Sequence, residues 1–158
     1  MFILEKIKNS FSHIEYAEEP HTYFDNKNNV NLKSVTSRLK EYQEPFNKSK
    51  WLPKKAKELG VTEQWLDDEW EKNRLFSAER GTEFHFLMEM LSYNKIFPRT
   101  LVSDKLFNMG QKYMNDHKHL VTVINELIVG NDILAGQVDR LVYDPTDMGF
   151  HIKDYKTD

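Results

Sequence analysis

A chain of 158 residues is about one domain long, and 39% hydrophobic with 13% aromatic residues is enough to build a core, which excludes a disordered chain. The formal net charge of −3 and a pI near 6.1 exclude a protein that coats nucleic acid through an overall basic field. The absence of cysteine excludes a disulfide framework, a thiolate-ligated metal and a cysteine nucleophile, so any metal must be held by oxygen and imidazole.

Charge is spread unevenly. Up to Gly60 there are 11 basic against 8 acidic residues, and after it 11 against 17, which suits a substrate-gripping front and a metal-gathering back. The opening MFILEKIKNSF is interrupted by Glu5, Lys6 and Lys8, too soon for a signal segment, and no apolar run approaches the ~20 residues of a membrane span. These features predict a soluble, intracellular protein with no membrane partner.

In chain order, residues 21–24 predict a short aromatic strand, residues 25–29 a turn, and the next few a weak return strand, together a small hairpin. Ser34 is placed to cap a short helix carrying Val35, Leu39 and Tyr42, which Pro45 ends. Residues 49–94 predict helix, broken at Gly60 and Val61 and capped again by Thr62. Gly81 is tolerated near the start of an amphipathic stretch where Phe84, Leu87, Met88 and Leu91 follow i, i+3, i+4, i+7. Trp65 and Trp70 are expected as core or interface aromatics. A helix over 104–116 should bury Leu106, Phe107, Tyr113 and Met114.

The period then changes to two. Residues 120–129, 133–143 and 149–156 predict three strands joined by turns at Gly130-Asn131-Asp132 and Asp144-Pro145-Thr146-Asp147. The expected fold class is α+β, a helical first half followed by a three-stranded antiparallel meander. It forms a single domain over 1–158: hairpin and helix over 1–60, helices over 61–118 and the functional sheet over 119–158.

Strand parity carries the chemistry. Asp139 shares a face with Gln137 and Leu141, and Asp154 shares one with Lys156, so two carboxylates and an ammonium can converge. That set suits phosphodiester hydrolysis: carboxylates hold Mg²⁺ or Mn²⁺, the cation polarises phosphate and acidifies water, and the lysine orients that water or offsets developing charge. The plain alternative for each Asp is a solvated position near a hairpin. On the preceding helix, Gly81 at i−4 leaves room beside His85 for a phosphate, and Glu89 at i+4 lies on the same surface.

With RGTEFH at 80–85, an acidic residue at 126, GQVDR at 136–140 and DYKT at 154–157, the chain resembles the PD-(D/E)xK nuclease superfamily, in its RecB-type exonuclease branch. The ordered motifs span roughly residues 20–158, and HTYFD…SVTSRLKEY also looks like the start of phage members. The resemblance implies a metal-dependent exonuclease acting on DNA ends in recombination or repair. His85, Asp139, Asp154 and the Tyr155 carbonyl would hold the cation, and Lys156 would position the attacking water. Glu126 matches an acidic position that is either a ligand or a residue behind one; parity groups it with Thr122, Ile124 and Ile128 and does not choose its face. Family members continue beyond the Asp-x-Lys strand with a helix bearing Gln-x-x-x-Tyr and a further strand. The core is therefore expected to lack its last helix and strand, with a partner or a second copy covering the sheet.

For gripping DNA, the candidates are Ser34, Thr36, Ser37 and Arg38 at a helix start, Arg80 within RGTEFH, and the lysines at 48, 50, 54, 55 and 57 around Trp51. A lysine run is otherwise a solvated helix face, and Arg140 could serve as a structural ion-pair partner. The competing functional reading is a non-catalytic module that binds nucleic acid or protein on a nuclease fold.

Overall fold

The computed structural model describes residues 2–156, with side chains from residue 5 onward except at residue 100. Thr157 of the DYKT motif lies outside the described residues. The order is α1 (Phe2–Ser10), β1 (Ile14–Ala17), β2 (Thr22–Asp25), β3 (Val30–Ser34), α2 (Val35–Lys40), α3 (Lys48–Leu59) and α4 (Glu63–Ser92). A 3-10 turn at Arg99–Leu101 precedes α5 (Asp104–Asp116), β4 (Val121–Gly130), β5 (Leu134–Asp144) and β6 (Gly149–Lys153).

Local chemistry sets most boundaries. The hydroxyls of Ser34, Thr62 and Ser103 accept the amide N–H of Ser37, Trp65 and Leu106 at 3.0, 3.2 and 3.3 Å, capping α2, α4 and α5. Gly60, at φ +68°, ends α3 in the left-handed conformation that costs other residues most. In the β4–β5 turn the Asn131 side-chain oxygen accepts from the Ile133 and Leu134 amides, and in the β5–β6 turn Asp144 accepts from Thr146.

The expected meander is present, β4 against β5 against β6, but the sheet around it is larger than three strands. β1, β2 and β3 form a second antiparallel meander, and β3 joins the first by parallel pairing of Lys33 with Leu134 and Ser34 with Ala135. The result is a mixed six-stranded sheet in the order β1-β2-β3-β5-β4, with β6 on β5. It nearly closes: a Cβ on Gly130, at the end of β4, would lie 2.7 Å from Ile14 Cδ1 of β1. Inside that curl Ile14, Tyr23, Leu32 and Ala135 form one core. Neither α1 nor β1 is anticipated by sequence periodicity, and the β3–β5 contact joins segments too distant in sequence for local patterns to register it.

The other core lies between the helices and the sheet. Phe84, Leu87 and Met88 of α4 meet Leu106 of α5, Phe97, Val102 and Tyr155, with Leu91, Phe107, Tyr113 and Met114 half-buried around them. The helices approach closely at Gly110, where a Cβ would stand 3.1–3.2 Å from Leu87, Leu91 and Met88. The first half of α4 packs on α3, where Ala56 and Leu66 are buried, and Trp70 meets Phe46 edge-on. Trp65 is 51% exposed, which removes it from the core of this chain and leaves the interface alternative; the first half of α4 packs mainly on α3. β6 stops at Lys153, three residues short of the expected end, so Asp154, Tyr155 and Lys156 follow in irregular backbone. Among the described residues no helix is long and apolar enough to cross a membrane.

Leu87, fully buried on α4, should lose about 2–5 kcal/mol of unfolding free energy when truncated to alanine. Leu75→Ala, at an exposed position of the same helix, should change it by less than about 0.5 kcal/mol. Urea denaturation of both variants checks the assignment of the core to the second half of α4.

Candidate metal centre

Three side chains from three elements converge. His85 of α4, Glu126 of β4 and Asp139 of β5 each offer a ligand atom within 4.8 Å of the others. They share a cavity of about 820 Å³ with Gly81, Glu89 and Gln137, rimmed by Tyr16, Glu18 and His21 from the β1–β2 hairpin. Gly81 faces open space, as the room expected beside His85 requires.

Each side chain reaches the cavity for a local reason. His85 flanks the Phe84–Leu87–Met88 stripe that buries α4, so packing of the stripe points the imidazole at the sheet. Asp139 is only 13% exposed and is fixed by the Tyr155 amide, which donates to Oδ2 at 2.7 Å; Oδ1 lies 3.6 Å from His85 Nδ1. The other imidazole nitrogen, Nε2, lies 3.2 Å from the Tyr155 carbonyl oxygen.

Glu126 is placed by backbone irregularity. A register shift between Thr122 and Ile124 breaks the alternation of β4, so that Thr122 and Asn125 both bond Ser92 at the end of α4. Glu126 therefore lies with Ile124 and Ile128, as parity predicts, but not with Thr122, which corrects that part of the grouping. Its φ of +52° is left-handed, a conformation of about 1–3 kcal/mol cost for a side-chain-bearing residue and one that clusters at functional sites.

The electrostatics fit a cation. Burial pushes the Asp139 carboxyl above the ordinary range, and Asp154 adds to the rise while the Tyr155 amide, His85 and Lys156 oppose it. Burial likewise raises Glu126, helped by the charges of Asp139 and Glu89 and opposed by His85. Two half-buried carboxylates side by side, with one imidazole, are an electrostatic cost that a divalent cation would relieve.

The remaining predicted residues are distributed more widely. Asp154 is 60% exposed and lies outside the three-residue group; it holds the Lys156 ammonium at 2.8–3.0 Å, so the two side chains do share a side. Arg80 lines a different cleft, between α4 and the start of α5, with Glu79, Glu83 and Ser103. Ser34 is buried and its hydroxyl is engaged with Ser37 and Thr36. Arg38 pairs with Glu41 and stacks over Tyr42. Lys48 pairs with Asp67, Lys55 with Glu58, and Lys50 and Lys54 lie over the Trp51 ring. Sequence patterns do not mark Tyr16, Glu18 and His21 as cavity residues, because only the curl of the sheet brings the first hairpin to α4; of the three, only His21 falls in the aromatic run at 21–24.

Both central carboxyls have raised pKa values, so their contribution to stability without cation is present near pH 4 and is lost as pH rises through the raised folded values. Asp139→Asn should therefore raise the thermal midpoint of the cation-free protein at pH 7.5. Mn²⁺ at about 100 times its dissociation constant should raise the wild-type midpoint by roughly 5–10 °C, and the variant's hardly at all. Cation affinity should fall with acidification, because binding displaces protons. Differential scanning calorimetry with Mn²⁺ or EDTA at two pH values reads all three effects. No family model, curated protein or solved structure matches this chain.

Proposed function

We propose that this chain is a divalent-cation-dependent deoxyribonuclease that hydrolyses phosphodiester bonds at DNA ends, in phage or bacterial recombination or repair. The observation that carries the reading is the convergence of His85, Glu126 and Asp139 in one half-buried cavity, beside the Asp154–Lys156 pair. The resemblance of RGTEFH, GQVDR and DYK to the RecB-type branch supports the same assignment and supplies the preference for ends.

The carboxylate and carbonyl donors suit Mg²⁺ or Mn²⁺. His85, Glu126 and Asp139 would hold the cation together with the Tyr155 carbonyl. That carbonyl stands 3.2 Å from His85 Nε2, while the other imidazole nitrogen, Nδ1, is the one that faces Asp139. When bound, the cation polarises a phosphate oxygen and lowers the pKa of a water. The Tyr155 amide keeps Asp139 in one rotamer, and Asp154 holds the Lys156 ammonium at the edge of the site, where it would orient the attacking water for in-line displacement.

Among the described residues the cavity is lined by Glu18, Glu89, Glu126 and Asp139 and by no lysine or arginine. Its negative potential opposes a polyanion until cations enter. DNA binding at the site should accordingly depend on the cation as cleavage does.

A second reading, a binding module without turnover, is favoured by one observation: Lys156 is 68% exposed and tied to Asp154. Cleavage of end-labelled linear and closed circular DNA in Mg²⁺, Mn²⁺ or EDTA separates the two. Metal-dependent loss of linear DNA alone is expected, reduced at least ~100-fold in Lys156→Ala and Asp139→Asn. Fluorescence anisotropy should show DNA binding strengthened at least about ten-fold by Ca²⁺ over EDTA at equal ionic strength. Binding that ignores divalent cations, with no cleavage in any metal, would establish the module instead.

A further inference from the structure

Asp139 faces the candidate metal centre, but the next residue of β5 carries a charge that the centre does not use. Arg140 is 1% exposed. Its guanidinium donates to Thr122 Oγ1 from Nε and Nη2 (3.1 and 2.6 Å), and from Nη1 to the Tyr155 hydroxyl at 3.3 Å and Met114 Sδ at 3.4 Å. All of these acceptors are neutral, and among the described residues no carboxylate lies within 4.0 Å of it. Arg140 therefore makes no ion pair among the described residues, and four of the five guanidinium N–H groups are used. A buried cation of this kind ordinarily has an anion beside it.

Arg140 lies at the floor of a cleft of about 730 Å³ between the end of α4, the end of α5 and the start of β4. The cleft has no acidic residue in its lining. Its rim carries Lys95 and Lys118, both exposed and neither paired with a carboxylate among the described residues, and Gln111 and Asn115 add amide donors. It shares no lining residue with the His85 cavity.

We infer that this cleft binds a phosphate group, as inorganic phosphate or the phosphate of a mononucleotide, with Arg140 as the buried counter-charge and Lys95 and Lys118 closing over it. A guanidinium floor with flexible ammonium groups at the rim matches a tetrahedral oxyanion, and these three cationic groups outweigh the partial negative charge that the C-terminal ends of α4 and α5 present to the cleft. The inference is independent of nuclease activity.

The test is a titration of the full chain with inorganic phosphate in EDTA at constant ionic strength, followed by ¹H–¹⁵N NMR. The Arg140 Nε–H and the Asn115 and Lys118 amides should shift saturably, and sodium chloride should not reproduce the shifts. Lys95→Ala combined with Lys118→Ala, both exposed and remote from the cores, should weaken phosphate binding roughly five- to ten-fold. Glu126→Gln, whose side chain lies in the other cavity and does not touch Tyr155, should leave it unchanged, which separates this cleft from the metal centre. Tighter binding of a nucleoside 5′-monophosphate would assign the ligand as a nucleotide, and equal binding would assign free phosphate. Identical shifts with chloride, shifts centred on His85, or an affinity indifferent to both lysines would overturn the inference.

Discussion

Tyr155 is held at three points, and the arrangement of both charged sites depends on them. Its amide donates to Asp139, its carbonyl stands beside His85, and its ring fills the core against Phe84 and Tyr113 with the hydroxyl receiving a hydrogen bond from Arg140. The residue lies just past the end of β6, where the backbone has left the sheet and its N–H needs another acceptor. Asp139 supplies that acceptor. One oxygen of the carboxylate is thereby committed to structure and the other is turned toward His85.

From this pin the charge distribution of β5 follows. Successive residues of a strand point to opposite sides, so Asp139 and Arg140 send opposite charges away from each other rather than neutralising each other. Asp139 joins Glu126 and His85 in an acidic cavity, while Arg140 enters a cleft without acids. Each burial has an electrostatic cost in the isolated chain. The left-handed conformation of Glu126 adds a backbone cost on the Asp139 side, beside the burial of the two carboxylates.

Much of the fold is legible from sequence because it is decided within a few residues. The caps at Ser34, Thr62 and Ser103, the stop at Gly60, the turns at Asn131 and Asp144 and the stripe through Phe84, Leu87 and Met88 each depend on neighbours one helical turn or one hairpin away. What periodicity misreads is governed by other rules. A single register shift in β4 moves Thr122 out of phase with Glu126, and an early end to β6 puts Asp154 and Lys156 outside the strand whose parity would have aligned them.

By itself, the amino-acid sequence determined the residue types available for chemistry: oxygen and imidazole donors without thiols, an acidic second part, Asp154 and Lys156 two residues apart, and His85 and Asp139 on elements whose local form it also dictates. Tertiary structure alone decided which of these meet. It selected Glu126 as the third member of the group in place of the more exposed Asp154, brought the first hairpin over the cavity, and left Arg140 among neutral partners. The physical reason is range. Caps, turns and amphipathic stripes arise from contacts close along the chain, whereas the parallel joining of β3 to β5, the curl of the sheet and the desolvation of two carboxylates exist only once distant segments have packed.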